Sequence, residues 1–316
     1  MSTRTGPGPG RMRVQLDLVP GLLRLYNQAT SLNVETNMYR YLISLFVLLI
    51  ILSCSDGNEK PVDLMARGKE AFHQGDYYEA RLAFAQLQQI EPTDRDYLYW
   101  LGRTYRHELM YDSAVMYLKQ ADYIHSNDSA VLAELYRACR GAGEWQEGRR
   151  AAEQLVRRGM ADDSALLYLV ELSIQGEEYL HTLYYTRRLI EQNPDEPQYY
   201  LDAVNAASEV DSLGVALEFA DQAIDRFGPH EKFLAAKGFA LVGMNRLNRA
   251  EAVYRELYSR DTSMAEYKLN LANVLAQQPS VEKKRRAYYL YTEVARVYES
   301  PLIDSVMENL AEELGM

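Results

Sequence analysis

The feature that most constrains this chain is a repeat of 34 residues that runs from residue 61 to about residue 300. The units begin at residues 61, 95, 129, 163, 197, 231 and 265. Position 20 of the first six units is small, and it holds Ala80, Ala114, Gly148, Thr182, Ala216 and Ala250. Repeats of this length are supersecondary units that bury a continuous core only when they stack on their neighbours. The period therefore predicts a solenoid.

Each unit reads as two helices joined by a turn. Apolar residues recur three or four positions apart, which places them on one face of a helix. Turn residues such as Gly75 and Gly143 fall in the middle of their units, and Pro92 falls between two units. The seventh unit needs three additional residues near Gln278 before Ala287 takes position 20. We therefore expect seven helical hairpins, followed by an amphipathic cap helix at 301–316.

The pattern resembles the tetratricopeptide repeat (TPR), in which W-x₂-L-G-x₂-Y is followed by A-x₃-F and a proline. The matching residues are Leu98, Leu101, Gly102 and Tyr105 in the second unit, and Ala80 and Phe84 in the first. This resemblance implies an all-α solenoid of about seven hairpins over residues 61–300, wound as a right-handed superhelix. It also implies that the first helix of each hairpin lines a concave face, which is commonly the binding surface of such proteins.

An eleven-residue apolar stretch at 42–52 ends directly before Ser53 and Cys54. A membrane-spanning helix needs about 20 residues, so this stretch has instead the length of a signal-peptide core. The sequence 51–54 resembles the lipobox of bacterial lipoproteins, in which cleavage occurs before the cysteine and the thiol carries diacylglycerol. The resemblance implies lipidation of Cys54. The alternative from the residues is a buried core helix or an uncleaved anchor.

The same resemblance divides the N-terminal part of the chain. Residues 38–53 are expected to be the signal peptide, and residues 54–60 the lipidated tether. Residues 1–37, which precede Met38, are expected to be disordered, or to be present only because the start codon is assigned upstream of the true start at Met38. Ser55 stands where an aspartate would resemble an inner-membrane retention signal. We therefore expect a bacterial envelope protein, anchored in the outer membrane by its acyl chains and facing the periplasm.

The first helices predict where a ligand would bind, because positions 5, 9 and 12 share one face. Candidate residues are Lys69, Phe72, Tyr99, Arg103, Arg106, Arg137 and Arg140 in the first three units, and Asn205, Phe239 and Asn273 in later units. The first group is basic, although the formal charge of the chain is −11. Two interpretations are open. The cations bind an acidic segment of a partner, or they pair within the solenoid with residues such as Glu134 or Glu108.

Several function classes are disfavoured by the composition and by the motifs. A charge of −11 disfavours nucleic-acid binding, and two cysteines exclude a disulfide scaffold. The chain has no glycine-rich phosphate loop, no G-x-S-x-G elbow and no H-E-x-x-H motif. His73 and His107 occupy equivalent positions, but a shared metal would need a carboxylate that the sequence does not identify. We expect no enzyme activity, no cofactor and no metal.

The predicted function is a membrane-anchored TPR adaptor that binds proteins or peptides, in envelope or secretion-machine assembly. Two alternatives remain at this point. One is a lipoprotein that binds cell-wall or other carbohydrate through Phe72, Tyr99, Trp100 and Phe239. The other is a cytoplasmic TPR protein with no lipid anchor.

Overall fold

The computed structural model describes residues 60–316, which contain fifteen α-helices and no strand. The helices are α1 Pro61–Gln74, α2 Tyr77–Ile90, α3 Arg95–His107, α4 Tyr111–Ile124, α5 Ser129–Ala142, α6 Trp145–Arg157, α7 Asp163–Gln175, α8 Tyr179–Gln192, α9 Pro197–Glu209, α10 Leu213–Phe227, α11 Glu231–Gly243, α12 Leu247–Arg260, α13 Ala265–Ala276, α14 Val281–Ala295 and α15 Pro301–Leu314. The predicted segments 1–37 and 38–53, the tether up to residue 59, and Cys54 lie outside the described residues.

The helices pack as consecutive antiparallel pairs, each against the next along the chain. The odd-numbered helices α1 to α13 are the first helices of seven hairpins, and each begins at the residue where the 34-residue period places a new unit. Helix α15 packs on α14, where it buries Ile303 and Leu310. The prediction of an all-α array of seven hairpins with a C-terminal cap helix is confirmed.

The turn inside a hairpin needs a residue with positive φ, which ends the first helix and redirects the chain. These residues are Gly75, Leu109, Gly143, Glu177, Asp211 and Asn245 in the first six hairpins, with φ between 55° and 81°. Glycine adopts this conformation without steric cost, and asparagine and aspartate tolerate it. Leu109 and Glu177 are the two exceptions, and Leu109 is in addition apolar and exposed at a φ of 61°.

The seventh hairpin has a longer turn, as its three additional residues predict. Buried Glu251 on α12 holds this turn in place. It accepts a hydrogen bond from Gln278 Nε2 at 3.0 Å and one from Lys283 Nζ at 2.6 Å. Because Gln278 lies in the turn and Lys283 lies in the first turn of α14, these bonds tie the additional residues to the preceding repeat. Ala287 on α14 is consequently fully buried, as the period requires.

Small residues are required where the two helices of a hairpin approach most closely. A Cβ atom on Gly102 of α3 would lie 2.7 Å from Leu118 Cγ and 3.2 Å from the carbonyl oxygen of Ala114, both on α4. The first distance is shorter than van der Waals contact, and the backbone oxygen cannot swing away. Glycine at position 8 of the second unit is therefore a packing requirement.

We expect Gly102→Ala to lower the free energy of unfolding by about 1–2 kcal/mol, because overpacking outweighs the roughly 1 kcal/mol gain in helix propensity. Urea denaturation followed by circular dichroism would measure the change. Gly214→Ala is the matched control, since a Cβ atom there meets nothing within 4 Å. The control should be neutral or stabilising. Equal effects of the two substitutions would contradict the packing argument.

Candidate functional site

Three of the five predicted basic residues converge on one carboxylate, that of Glu134 on α5, whose side chain is 8% exposed. Arg106 Nε donates a hydrogen bond to Glu134 Oε2 at 2.5 Å. Arg103 Nε lies 3.5 Å from Oε1, and Arg137 Nη1 lies 3.8 Å from the same oxygen. The carboxylate therefore faces three guanidinium groups, two from α3 and one from its own helix. Glu108, the other suggested partner, pairs instead with Arg81 at 2.7 Å.

Arg137 and Arg140 form ion pairs nearer the surface. Arg137 Nη2 donates to Asp162 Oδ2 at 2.6 Å, and Arg140 Nη2 donates to Glu171 Oε2 at 3.1 Å. The Arg140 and Glu171 side chains are 52% and 47% exposed. Ion pairs of this exposure contribute about 0–1 kcal/mol, because water screens them. An anionic ligand can therefore replace these carboxylates at little cost.

Aromatic rings pack against two of these cations, Lys69 and Arg103. The Arg103 guanidinium lies 4.7 Å from the centroid of Phe72 and 5.0 Å from that of Trp100, and Lys69 Nζ lies 5.3 Å from the Trp100 centroid. Such contacts stabilise a cation and restrict its orientation. Phe72 itself is only 6% exposed. It supports Arg103 and does not line the surface, which corrects its assignment as a groove residue.

His107 lies behind the arginine cluster, at the contact between the first two repeats. Its ring stacks on Tyr77 at 4.8 Å and meets the edge of Phe72 at 5.0 Å, and its Nε2 lies 2.8 Å from Arg106 Nη2. Burial lowers the pKa of His107, and the positive charge of Arg106 lowers it further. A neutral imidazole accepts the hydrogen bond from Arg106, so His107 helps to hold that guanidinium in place.

The remaining predicted residues fall in separate places. Tyr99 is half-buried, with the Arg95 guanidinium 5.4 Å from its ring centroid. Asn205 is exposed on α9. Phe239, which is 59% exposed, and Asn273 meet in a cavity of about 590 Å³ bounded by α11, α13 and α15. Tyr291 donates a hydrogen bond to Asn273 Oδ1 at 2.6 Å, which leaves the Asn273 amide group free to donate.

Sequence reasoning named Glu134 as a possible internal partner of the arginines, but it did not place position 6 of the first helices on this surface. Glu134 and Asp202 both occupy it, in the third and fifth units. Position 6 lies one residue from position 5 and three from position 9, so helical spacing already indicated that it adjoins the predicted face. The cap-helix residues Val306 and Asn309, which line the cavity beside Phe239, carried no such signal.

Two further properties concern residues 60–316. Within this range, no group of three or more His, Cys, Asp or Glu side chains is placed to hold a metal ion. None of the helices described has the length and apolar character needed to cross a membrane.

No protein-family model and no curated protein matches the chain. Among solved structures, it is similar to a tetratricopeptide repeat protein from Parabacteroides merdae, with 16% identity, a TM-score of 0.43 and coverage of 79% of this chain and 98% of that one. It is also similar to the APC/C hetero-tetramer Cut9-Hcn1, with 13% identity, a TM-score of 0.40 and coverage of 85% of this chain and 51% of that one. For MamA the identity is 18%, the TM-score 0.43, and the coverage 50% and 93%.

Because all three TM-scores lie below 0.5, the assignment of the fold rests on the repeat geometry of the chain itself. That geometry comprises helical hairpins that recur every 34 residues, a small residue where the helices of a hairpin approach, and packing of each hairpin on the next. Residues 61–316 form an all-α solenoid of helical hairpins, and their 34-residue period is that of the tetratricopeptide repeat.

Proposed function

We propose that the solenoid is an adaptor that binds an acidic segment of a partner protein on the basic part of its first-helix surface. The observation that carries this proposal is a local excess of positive charge. The cations are Lys69, Arg103, Arg106, Arg137 and Arg140, and the carboxylates paired with them are Glu134, Asp162 and Glu171. Five cations therefore face three carboxylates on a chain whose formal charge is −11.

The ion pairs within the solenoid are compatible with ligand binding, because they order the arginine side chains in advance. Glu134 is buried, so it holds Arg103 and Arg106 in fixed positions before a ligand arrives. Arginine presents several donors in a planar fork, and one carboxylate does not satisfy all of them. Side chains that are already ordered lose less conformational entropy on binding. The cluster is therefore organised to receive further carboxylates.

The carbohydrate-binding alternative has less support. It requires exposed aromatic faces on which a sugar ring can stack. Phe72 is buried, and Lys69 and Arg103 lie over the ring of Trp100. Phe239 is exposed, but it lies in the sixth repeat, far along the chain from the other aromatic candidates.

Membrane anchoring through Cys54 is the second part of the proposal, and the order of apolar stretch, Ser53 and Cys54 supports it. Pro61 is the seventh residue after Cys54, and an extended chain of that length spans at most about 25 Å. The first repeat, and the basic surface that begins there, would then lie close to the bilayer. Such a protein would hold its partner at the periplasmic side of the outer membrane, in envelope or secretion-machine assembly.

We expect Arg137→Gln/Arg140→Gln to weaken binding of an acidic peptide about tenfold, since each lost cation contributes on the order of 0.5–1 kcal/mol at an exposed site. Anisotropy of a labelled peptide of alternating Glu and Ser would measure the change. This pair leaves Arg103 and Arg106 to neutralise Glu134, so the fold is retained.

Arg157→Gln/Arg158→Gln on and after α6 is the matched control, because it removes the same charge from outside the first helices. It should leave the affinity nearly unchanged. Binding by the wild type should weaken with ionic strength. Equal loss in both double variants, or no binding by the wild type, would contradict the proposal. If the expected results are obtained, crosslinking in cells that express the wild type or the same variants would identify the partner.

A further inference from the structure

Asp202 holds the same position in the fifth repeat that Glu134 holds in the third, namely the sixth residue of the first helix. The two carboxylates have different surroundings. Three arginines face Glu134, from positions 9 and 12 of the preceding repeat and position 9 of its own. Around Asp202 these three positions hold Glu171, Ile174 and Asn205. The fifth repeat therefore has a carboxylate at position 6, but none of the three positions that neutralise Glu134 holds an arginine here.

The contacts of Asp202 agree with this comparison. Its Oδ1 accepts one hydrogen bond, from Gln198 Nε2 at 2.8 Å on the preceding helical turn. Within residues 60–316, no ion pair joins Asp202 to a lysine, arginine or histidine. Glu171, the acidic neighbour by repeat position, is already bound to Arg140.

An unpaired carboxylate in this setting is costly. Asp202 is partly buried, and burial raises its pKa, although the hydrogen bond from Gln198 lowers it in part. Removing a carboxylate from water without a compensating cation disfavours its charged form. Glu134 shows how the same position is stabilised when arginines are present. No such cation pairs with Asp202 among residues 60–316, so a positive charge brought by a ligand would stabilise its charged form.

We propose that Asp202 binds a lysine or arginine side chain of the same segment whose carboxylates bind the arginine cluster. This inference rests on the proposed function, and it makes the ligand a segment of two opposite charges. Helices α5 and α9 are separated by one intervening first helix, and packed helices lie 8–10 Å apart, so the two sites are on the order of 20 Å apart. An extended chain rises about 3.3 Å per residue. The cation should therefore lie about six residues from the acidic residues.

The test uses the full chain and synthetic peptides that carry a Glu-Glu pair and one Lys, separated by two, six or ten Ser and Gly residues. The peptide with six intervening residues should bind about five- to tenfold more tightly than its Lys→Gln version. Asp202→Asn should abolish this preference and leave the affinity for the Lys→Gln peptide unchanged. Asp202→Lys should instead prefer a peptide with Glu in place of Lys.

Glu209→Gln is the control, because it removes an exposed carboxylate from the same helix, α9. It should leave the preference intact. If the acidic peptides bind and Asp202→Asn does not alter the preference for Lys, this inference is overturned while the proposed function stands. If no acidic peptide binds the wild type, both are overturned.

The free protein provides an independent measurement. Asp202→Asn should raise the Tm by about 2 °C at neutral pH, because it removes an uncompensated charge and keeps the hydrogen bond from Gln198. The folded-state pKa of Asp202 is raised, so the difference should vanish as the pH falls below the ordinary pKa of aspartate, where both states bind the proton. A lower Tm for Asp202→Asn would show that the charge is satisfied within the fold, and would overturn the inference.

Discussion

Replacing Glu134 with glutamine should lower the free energy of unfolding by about 2 kcal/mol, because it removes the carboxylate on which three arginines converge. The substitution keeps the shape of the side chain but leaves Arg103, Arg106 and Arg137 facing one another without the carboxylate between them. Removing one partner of a fully buried ion pair costs about 3–5 kcal/mol. The expected loss is smaller because these arginine side chains are 21–35% exposed and remain partly hydrated.

Urea denaturation of Glu134→Gln and of Glu171→Gln would test this expectation. Glu171 also binds an arginine, but both side chains of that pair are about half exposed. The control should therefore change stability by less than about 0.5 kcal/mol. Equal and small effects would mean that Glu134 does not organise the arginine cluster, which would weaken the argument that the cluster is ordered before a ligand binds.

Cys54→Ser should abolish lipid attachment and release the protein from the membrane fraction, an all-or-none effect. The thiol of Cys54 is the only group in the proposed lipobox that can carry diacylglycerol, and a serine hydroxyl does not replace it. Metabolic labelling of cells with an alkyne-tagged palmitate, followed by fractionation, would measure both results. Two or three acyl chains anchor a protein stably, so the wild type should remain with the membranes.

Cys139→Ala is the control for this experiment. Cys139 is fully buried in the core, and burial raises the pKa of its thiol to about 12, so it is neither exposed nor ionised. The variant should be labelled like the wild type. A wild-type protein that carries no label and stays in the soluble fraction would contradict the proposed anchor and favour the cytoplasmic alternative.

The cavity beside Phe239 shows where prediction from the sequence reached its limit. Asn273 and Phe239 were expected on one surface from their positions in the repeat, and the structure places both at this cavity. Val306 and Asn309 complete it from the cap helix. The period ends before that helix, so no repeat position indicated which of its residues would face α13.

The sequence by itself determined the architecture, because in a solenoid each repeat packs mainly on its neighbours and the packing rule recurs every 34 residues. Local requirements such as Gly102 against Leu118, and a turn residue with positive φ, are therefore visible as a pattern. The tertiary structure decided how the polar side chains are distributed. Long arginine side chains have many rotamers, and their partners depend on distances between helices that no repeat position specifies.

Two particular outcomes follow from that difference. Burial of Phe72 beneath Arg103 depends on rings contributed by the next repeat, so helical spacing alone placed it on the surface. Glu134 and Asp202 share one repeat position, yet only Glu134 has arginines within reach. The repeat pattern shows which positions on a helix carry a charged residue, but the residues that neutralise that charge come mostly from neighbouring helices. Which charges are paired therefore depends on how the hairpins pack.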